Sequence, residues 1–304
     1  MHIASAVVFS LLAQIHTTSP PSQPTLPSPQ ERAMENLHLE AQAREGDVHY
    51  QRRAEGRQAD VASSIEIDAS LEAYSASLKK NRSDVEDRWK YLRSTYFKAE
   101  YTGLNDEQKA ALYERALPIA DEAISLERDT AGRRSGQNAR AMEPAQLGSA
   151  LAGDLTAGET FFWASVTSGQ WALVHGRLQA ARQGVAAKIR DQARTTIAID
   201  PKLEDAGGYR VLGRLHCVSP KILFVTGWVD RDAGVRYLRK SVEIAPENFV
   251  NLFFLAEALR ENTDQRDEAV QILKKVVAAT PRPDHLIEDL RVQADARRDL
   301  AAWK

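Results

Sequence analysis

Small and apolar residues recur at intervals of three and four along most of this chain. Leu252, Leu255, Ala256 and Leu259 fall on one helical face, Ala269, Leu273 and Val276 on another, and Pro281 closes the segment. Such spacing marks helices that bury one stripe. The arrangement repeats upstream. Tyr209, Leu212, Gly213 and His216 pair with Gly234, Leu238, Ser241 and Pro246. Trp163, Val166, Thr167 and Gln170 pair with Ile189, Ala193, Thr196 and Pro201. Trp89, Leu92, Arg93 and Tyr96 pair with Ala116, Ala120, Ala123 and Arg128. The pattern further predicts helices over 31–45 and 59–80, where Ala69, Ala73 and Ala76 repeat the second-helix spacing. A last helix is predicted over 285–303, with Leu286, Leu290, Ala294 and Leu300 on one side and Asp284 as its N-cap.

The pairs approximate, two of them degenerately, a template whose first helix offers a large residue, then Leu, a small residue and Tyr. Its second helix offers Ala, then an aromatic or Leu and Ala at offsets of four and seven, then Pro. This resembles the tetratricopeptide (TPR) pattern, in which small residues let two helices approach and proline ends the second. The predicted fold is an all-α, TPR-like helical-repeat superhelix of about four degenerate helix pairs plus capping helices. Pro246 to Pro281 spans 35 positions, close to the repeat length of about 34. Pro201 to Pro246 spans 45, which places an insertion in CVSPKILFVTGWVDRDAG. That segment, centred on 218–233, carries Ile222, Leu223, Phe224, Val225 and Trp228. It either packs on its own repeat, folds into the groove or forms an interface. A second insertion, 130–156, is rich in Gly and Ala and predicts a flexible flap or a broken helix.

The N-terminus departs from this pattern. Residues 1–16 hold the apolar run Ile3–Ile15, too short to span a bilayer but suited to a signal peptide or an N-terminal apolar segment. Residues 17–30 contain five of the 12 prolines and predict a Pro/Ser-rich linker, leaving 31–304 as the TPR-like α-helical domain. The protein is expected in the periplasm or outside the cell, tethered if the apolar segment is retained. Gln14 follows Leu12-Ala13, and the single Cys lies at 217, so a lipoprotein anchor is not expected.

Composition changes the picture by exclusion. Lys+Arg 40 against Asp+Glu 42 gives a net charge of −2 and no basic footprint for nucleic acid. One cysteine allows neither an intrachain disulfide nor a Cys-rich metal cluster. The seven histidines show no metal-ligand spacing, and His38, His49, His175 and His285 are expected at the surface. GGYRVLGRLHCVSP, residues 207–220, gathers glycines, His216 and Cys217. Adjacent helical residues point about 100° apart, so His216 and Cys217 do not form a base–nucleophile pair. Its glycines lack the Lys-Ser/Thr of a phosphate loop. The stretch reads as a first helix, with Gly207-Gly208 in the preceding turn, Gly213 at a close approach, His216 buried and Cys217 inert. No catalytic residue, metal or cofactor is expected.

Binding would fall on the concave face, built from the first helices of the pairs. The candidates are Trp163, Trp171, Tyr209, Arg210, Arg214 and Asn251, with Phe224 and Trp228 from the inserted loop. The arginines could pair with a carboxylate. The plainer alternative makes Trp163 and Tyr209 core residues, and Arg210 and Arg214 a solvated helix face paired with Glu or Asp.

GGYRVLGRLHCVSP, TGWVDRDAGVRYLRKSVEIAPEN, LFFLAEAL, ETFFWASVTSGQWALVHG and STYFKAEYTG together resemble the TatT family over about residues 65–300. These are the TPR-like T components associated with bacterial TRAP (tripartite ATP-independent periplasmic) transporters. The resemblance implies a non-enzymatic exported protein with an internal cleft or pore, and a homo-oligomer such as a trimer. Its implied partner is the periplasmic solute-binding protein of a TRAP system. The alternatives are a general TPR protein-interaction scaffold and a carrier of a small hydrophobic or organic-acid ligand.

Overall fold

In the computed structural model, residues 29–303 are described, apart from Phe224. The expected signal segment and most of the linker lie outside them. The first helix, α1, spans Pro29–Gln51 and so begins within the last two residues of the proline tract. Proline suits a helix's first turn because no intrahelical N–H bond is due there. Residues up to Leu37 form one unit; His38 to the C-terminus forms a second, which holds everything described below.

Every regular element among the described residues is helical: α2 (Ser64–Lys80), α3 (Val85–Tyr101), α4 (Asp106–Ser135), α5 (Pro144–Ala150), α6 (Leu155–His175), α7 (Arg177–Arg182), α8 (Val185–Ile199), α9 (Leu203–Val218), α10 (Arg231–Ile244), α11 (Phe249–Asn262), α12 (Arg266–Ala278) and α13 (Leu286–Ala302). Asx residues start many of them. Asp84, Asn105, Asp154, Asp230 and Asn248 each accept a backbone N–H in the first turn of α3, α4, α6, α10 and α11. Each such cap stabilises its helix by about 1 kcal/mol.

The four pairs form as the spacing predicts: α3 on α4, α6 on α8, α9 on α10 and α11 on α12. Their slots are filled by fully buried Leu92, Ala116, Ala120, Ala193, Leu238, Ala256, Leu259, Ala269 and Leu273. Close approach is most acute between α9 and α10. A Cβ on Gly213 would stand 2.4 Å from Leu238 Cγ, and one on Gly234 would stand 2.6 Å from Cys217 Sγ. Larger residues there would separate the helices.

Helices α3, α6, α9, α11 and α13 form an inner layer in which each touches the next. The layer closes on itself, because α13 also packs on α3. Ile287 of α13 is fully buried in a cluster with Ala62, Ile67, Phe97 and Tyr101 from the other end of the repeat array. Polar clasps reinforce this seam. Arg53 donates to Glu288 Oε1 from Nε (3.1 Å) and Nη2 (2.9 Å), and to the Asp284 carbonyl. Arg291 donates to Asp60 Oδ2 at 2.7 Å.

Several expectations need correction. Helix α2 starts at Ser64, because 56–63 form turns with a Gln58–Val61 bridge. Its buried face carries Ile67, Ser70, Ala73, Tyr74 and Ser77, so the Ala69 and Ala76 register is displaced by one position. Asp284 sits inside a 3-10 turn, Pro283–His285, and is not the cap of α13; residue His285 takes that position. Gly207 and Gly208 lie within α9. Gly207 packs where a Cβ would meet the Phe162 ring at 2.4 Å. The reversal before them is made by Glu204, Asp205 and Ala206, all in left-handed backbone (φ 50°, 56° and 63°).

Among the described residues, both insertions pack against the helices. Residues 130–135 extend α4, and the remainder forms a 3-10 turn (Ala139–Ala141) and α5, held by Ala131, Met142, Leu147, Leu151 and Phe161. The broken-helix expectation is thus the one that applies. In 218–233, Thr226, Val229 and Ser219 are buried, Trp228 lies edge-on to His216, and Leu223 is 75% exposed. Trp228 packs on His216 and Leu215 of its own repeat and on Ala186 and Ile189 of α8 in the preceding pair.

Candidate functional site

The closed inner layer surrounds a cavity of about 1130 Å³. Its wall takes residues from the end of α1, from α3, α6 and α9, and from α11 and α13. Aromatic rings make up much of it: Tyr50, Trp89, Tyr96, Phe162 and Trp163. Helical spacing explains this placement, because Trp89, Arg93 and Tyr96 stand three and four apart on α3 and share a face.

Most charges on this wall are already matched. Arg53 pairs with Glu288, Lys90 with Asp47 and Glu86, Arg214 with Glu257 at 2.7 Å, Arg282 with Asp205 and Asp289, and Arg298 with Asp295. Two guanidiniums stand apart. Arg93 lies over the Tyr50 ring at 3.7 Å and the Trp89 ring at 4.9 Å. Its Nε finds no acceptor among the described residues, nor does Trp89 Nε1. Arg210 donates through Nη1 to the Glu204 carbonyl (3.2 Å) and to Asn251 Oδ1 (2.9 Å), both uncharged acceptors. Among the described residues, neither has a carboxylate oxygen within 4.0 Å. Burial pulls the Arg210 guanidinium below its ordinary range, partly offset by the charges of Glu204 and Asp205.

Beside them stands a carboxyl pair. Glu159 lies close enough to Glu204 to feel its charge, and its Oε2 accepts from Trp163 Nε1 at 3.1 Å. Burial, followed by the charge of Glu204, pushes Glu159 up to about 8, so Glu159 holds its proton at neutral pH. The Tyr50 hydroxyl is raised by burial and held back by Arg93 and Arg53; the charges of Glu288 and Glu204 also reach it.

Of the sequence candidates, Trp163, Arg210 and Arg214 line the cavity. Asn251 is fully buried behind the wall, donating to the carbonyls of Asp205 (2.9 Å) and Ser241 (3.2 Å) while it holds Arg210. Three others stand elsewhere. Trp171 stacks on His175 and packs near Leu104 and Val174; Tyr209 faces Tyr237; Trp228 covers His216 and Arg190. Phe224 lies outside the described residues. Arg210 and Arg214 both belong to the cavity wall; Arg214 pairs with Glu257, as the plainer alternative has it, whereas Arg210 has no carboxylate in contact.

His216 is buried with Nδ1 accepting the Asp230 N–H at 3.0 Å, and burial lowers its pKa. Burial pushes Cys217 up to about 11. His49, His175 and His285 are half-buried, with His49 on Glu66 and His175 on Glu114, which corrects their expected surface placement; the His38 side chain lies outside the description. No group of three or more metal-ligating side chains occurs among the described residues, and no described helix is long and apolar enough to cross a membrane.

Tyr50, Trp89, Arg93, Glu159 and Glu204 were not legible as site residues from spacing alone. One signal did exist: Arg93 occupies a template slot that a small residue should fill.

The fold defines the class: an all-α, TPR-like repeat protein. No protein-family profile and no curated protein matches the chain. Among solved structures it is similar to a thermophilic TPR protein of Thermus thermophilus, with a TM-score of 0.48 and 13% identity over 87% of this chain and 98% of that one. It is also similar to the TPR2AB domain of yeast Sti1 in a complex with pHSP90, with a TM-score of 0.30 and 12% identity over 88% of this chain and 99% of that one.

Proposed function

We propose that this chain is a non-catalytic, exported binding protein that encloses a small ligand within its ring of helices. The contact of α13 on α3 supports this reading most strongly. An open TPR superhelix offers a groove to an extended peptide, whereas a closed inner layer offers a bounded space. That space exceeds the range of about 300–1,000 Å³ usual for drug-sized ligands. Its aromatic walls provide apolar area, and its unmatched guanidiniums provide polar specificity.

Titration with the neutral fluorophore 1-N-phenylnaphthylamine tests the proposal. Saturable binding is expected, with energy transfer from Trp89 and Trp163, which line the cavity. No binding would contradict it. The finer role implied by the TatT resemblance, as a T component that engages a TRAP solute-binding subunit, is proposed with it. Capture of that subunit by the tagged protein is expected, and its failure would remove the transporter role while leaving ligand binding in place.

A further inference from the structure

We infer that the ligand is a carboxylate with an apolar body, its carboxylate seated between Arg93 and Arg210 and its body against the rings of Tyr50, Trp89 and Phe162. The inference rests on the cavity-binding proposal above and specifies the ligand's chemical class.

Its basis is a contrast within one wall. Arg53, Lys90, Arg214, Arg282 and Arg298 all have carboxylate partners, and the remaining rim arginine, Arg177, is solvent-exposed. Arg93 and Arg210 are half-buried on the cavity wall and have none in ion-pair contact. A guanidinium partly withdrawn from water gains from a counter-charge in direct contact. In a protein that matches its other cavity cations, two unmatched ones mark where an external anion belongs.

Both are held in position before any ligand arrives. Arg93 is sandwiched by Tyr50 and Trp89, which fixes its plane and leaves its edge free to donate. Arg210 is fixed by Asn251 and by the Glu204 carbonyl. That carbonyl belongs to the left-handed stretch Glu204–Ala206, a costly conformation for residues other than glycine. The stretch also supplies the Asp205 carbonyl that anchors Asn251. The strained backbone therefore acts as the seat of Arg210.

The neighbouring rings accept an apolar body.

The test uses decanoate and decanol, which share a chain and differ in charge, with binding to the full-length protein measured by calorimetry. Decanoate is expected to bind about tenfold or more tightly than decanol, as charge-assisted bonds to arginine imply. Arg93→Gln and Arg210→Gln should each weaken decanoate about tenfold and leave decanol unchanged, while Arg177→Gln should alter neither. Retained decanol binding shows that a variant's cavity is intact, and Arg93→Gln serves if Arg210→Gln does not fold. Equal affinities for the two probes, or decanoate affinity unchanged in both cavity variants, would overturn the inference and leave the cavity proposal standing. If neither probe binds the wild type, the cavity proposal itself falls.

Discussion

Arg53 and Glu288 are 235 positions apart and joined by two hydrogen bonds of 3.1 and 2.9 Å. Their side chains are only 10% and 13% exposed. Through them the beginning and end of the repeat array meet, and the array becomes an enclosure. Arg53→Ala should cost about 3 kcal/mol of stability, because it strands Glu288 in the seam and removes packing over Tyr50. Urea unfolding checks this. A loss below about 0.5 kcal/mol, the usual scale of a surface change, would show that the seam does not hold the fold.

The α9–α10 interface sets a second expectation. Gly213→Ala places a methyl carbon 2.4 Å from Leu238 Cγ and should destabilise by about 1–3 kcal/mol. Gly169→Ala is the control. Gly169 lies on α6 at the cavity wall, and a Cβ there meets nothing within 4 Å. It should be neutral or stabilising by up to about 1 kcal/mol, since alanine loses less backbone entropy in a helix. Thermal melts of the two variants should move in opposite directions or differ clearly in size.

Stability should also depend on pH with a definite sign. Glu159 is pushed up to about 8 by burial and then by Glu204, Glu127 to about 7 by burial and then by Asp154, and Asp87 to about 6 by burial. Each binds its proton more tightly folded than unfolded. Their contribution is complete below the ordinary carboxylate range and is lost as pH rises through those values. The melting temperature should fall between pH 5 and about 8.5, and Glu159→Gln should flatten the upper part of that fall. Identical profiles for wild type and variant would contradict the proton held on Glu159.

Cys217 should resist thiol reagents. It is buried against Gly234, and burial pushes its thiol up to about 11, so little thiolate exists at neutral pH. Labelling with Ellman's reagent should proceed only on unfolding. Rapid labelling of the folded protein would contradict the packing of α9 on α10.

The repeat architecture was legible because it rests on local spacing. Gly213, Leu238, Ala256 and Leu273 occupy slots set by helix geometry, and the structure fills them as the spacing predicts. The enclosure was not legible from spacing, although the TatT resemblance implies an internal cleft or pore, because it depends on Ile287 and Glu288 meeting Phe97 and Arg53 across most of the chain. No periodic signal encodes such a contact. The candidate site divides along the same line. Arg210 and Arg214 could be read from their place on a first helix, yet their different partners, Asn251 and Glu257, could not. The left-handed turn at Glu204–Ala206 also escaped, since the neighbouring Gly207-Gly208 is the stronger turn signal and serves packing instead.

The central claim is that a ligand occupies the space inside the ring of helices. Gly169→Trp tests it most directly, because that side chain would project into open space at the cavity wall. The measurement is an equilibrium titration of 1-N-phenylnaphthylamine into wild type and variant, with matching circular dichroism to establish an intact fold. Saturable binding to wild type and its loss in Gly169→Trp is the predicted result. Equal binding by the two proteins would place the ligand outside the cavity and contradict the account.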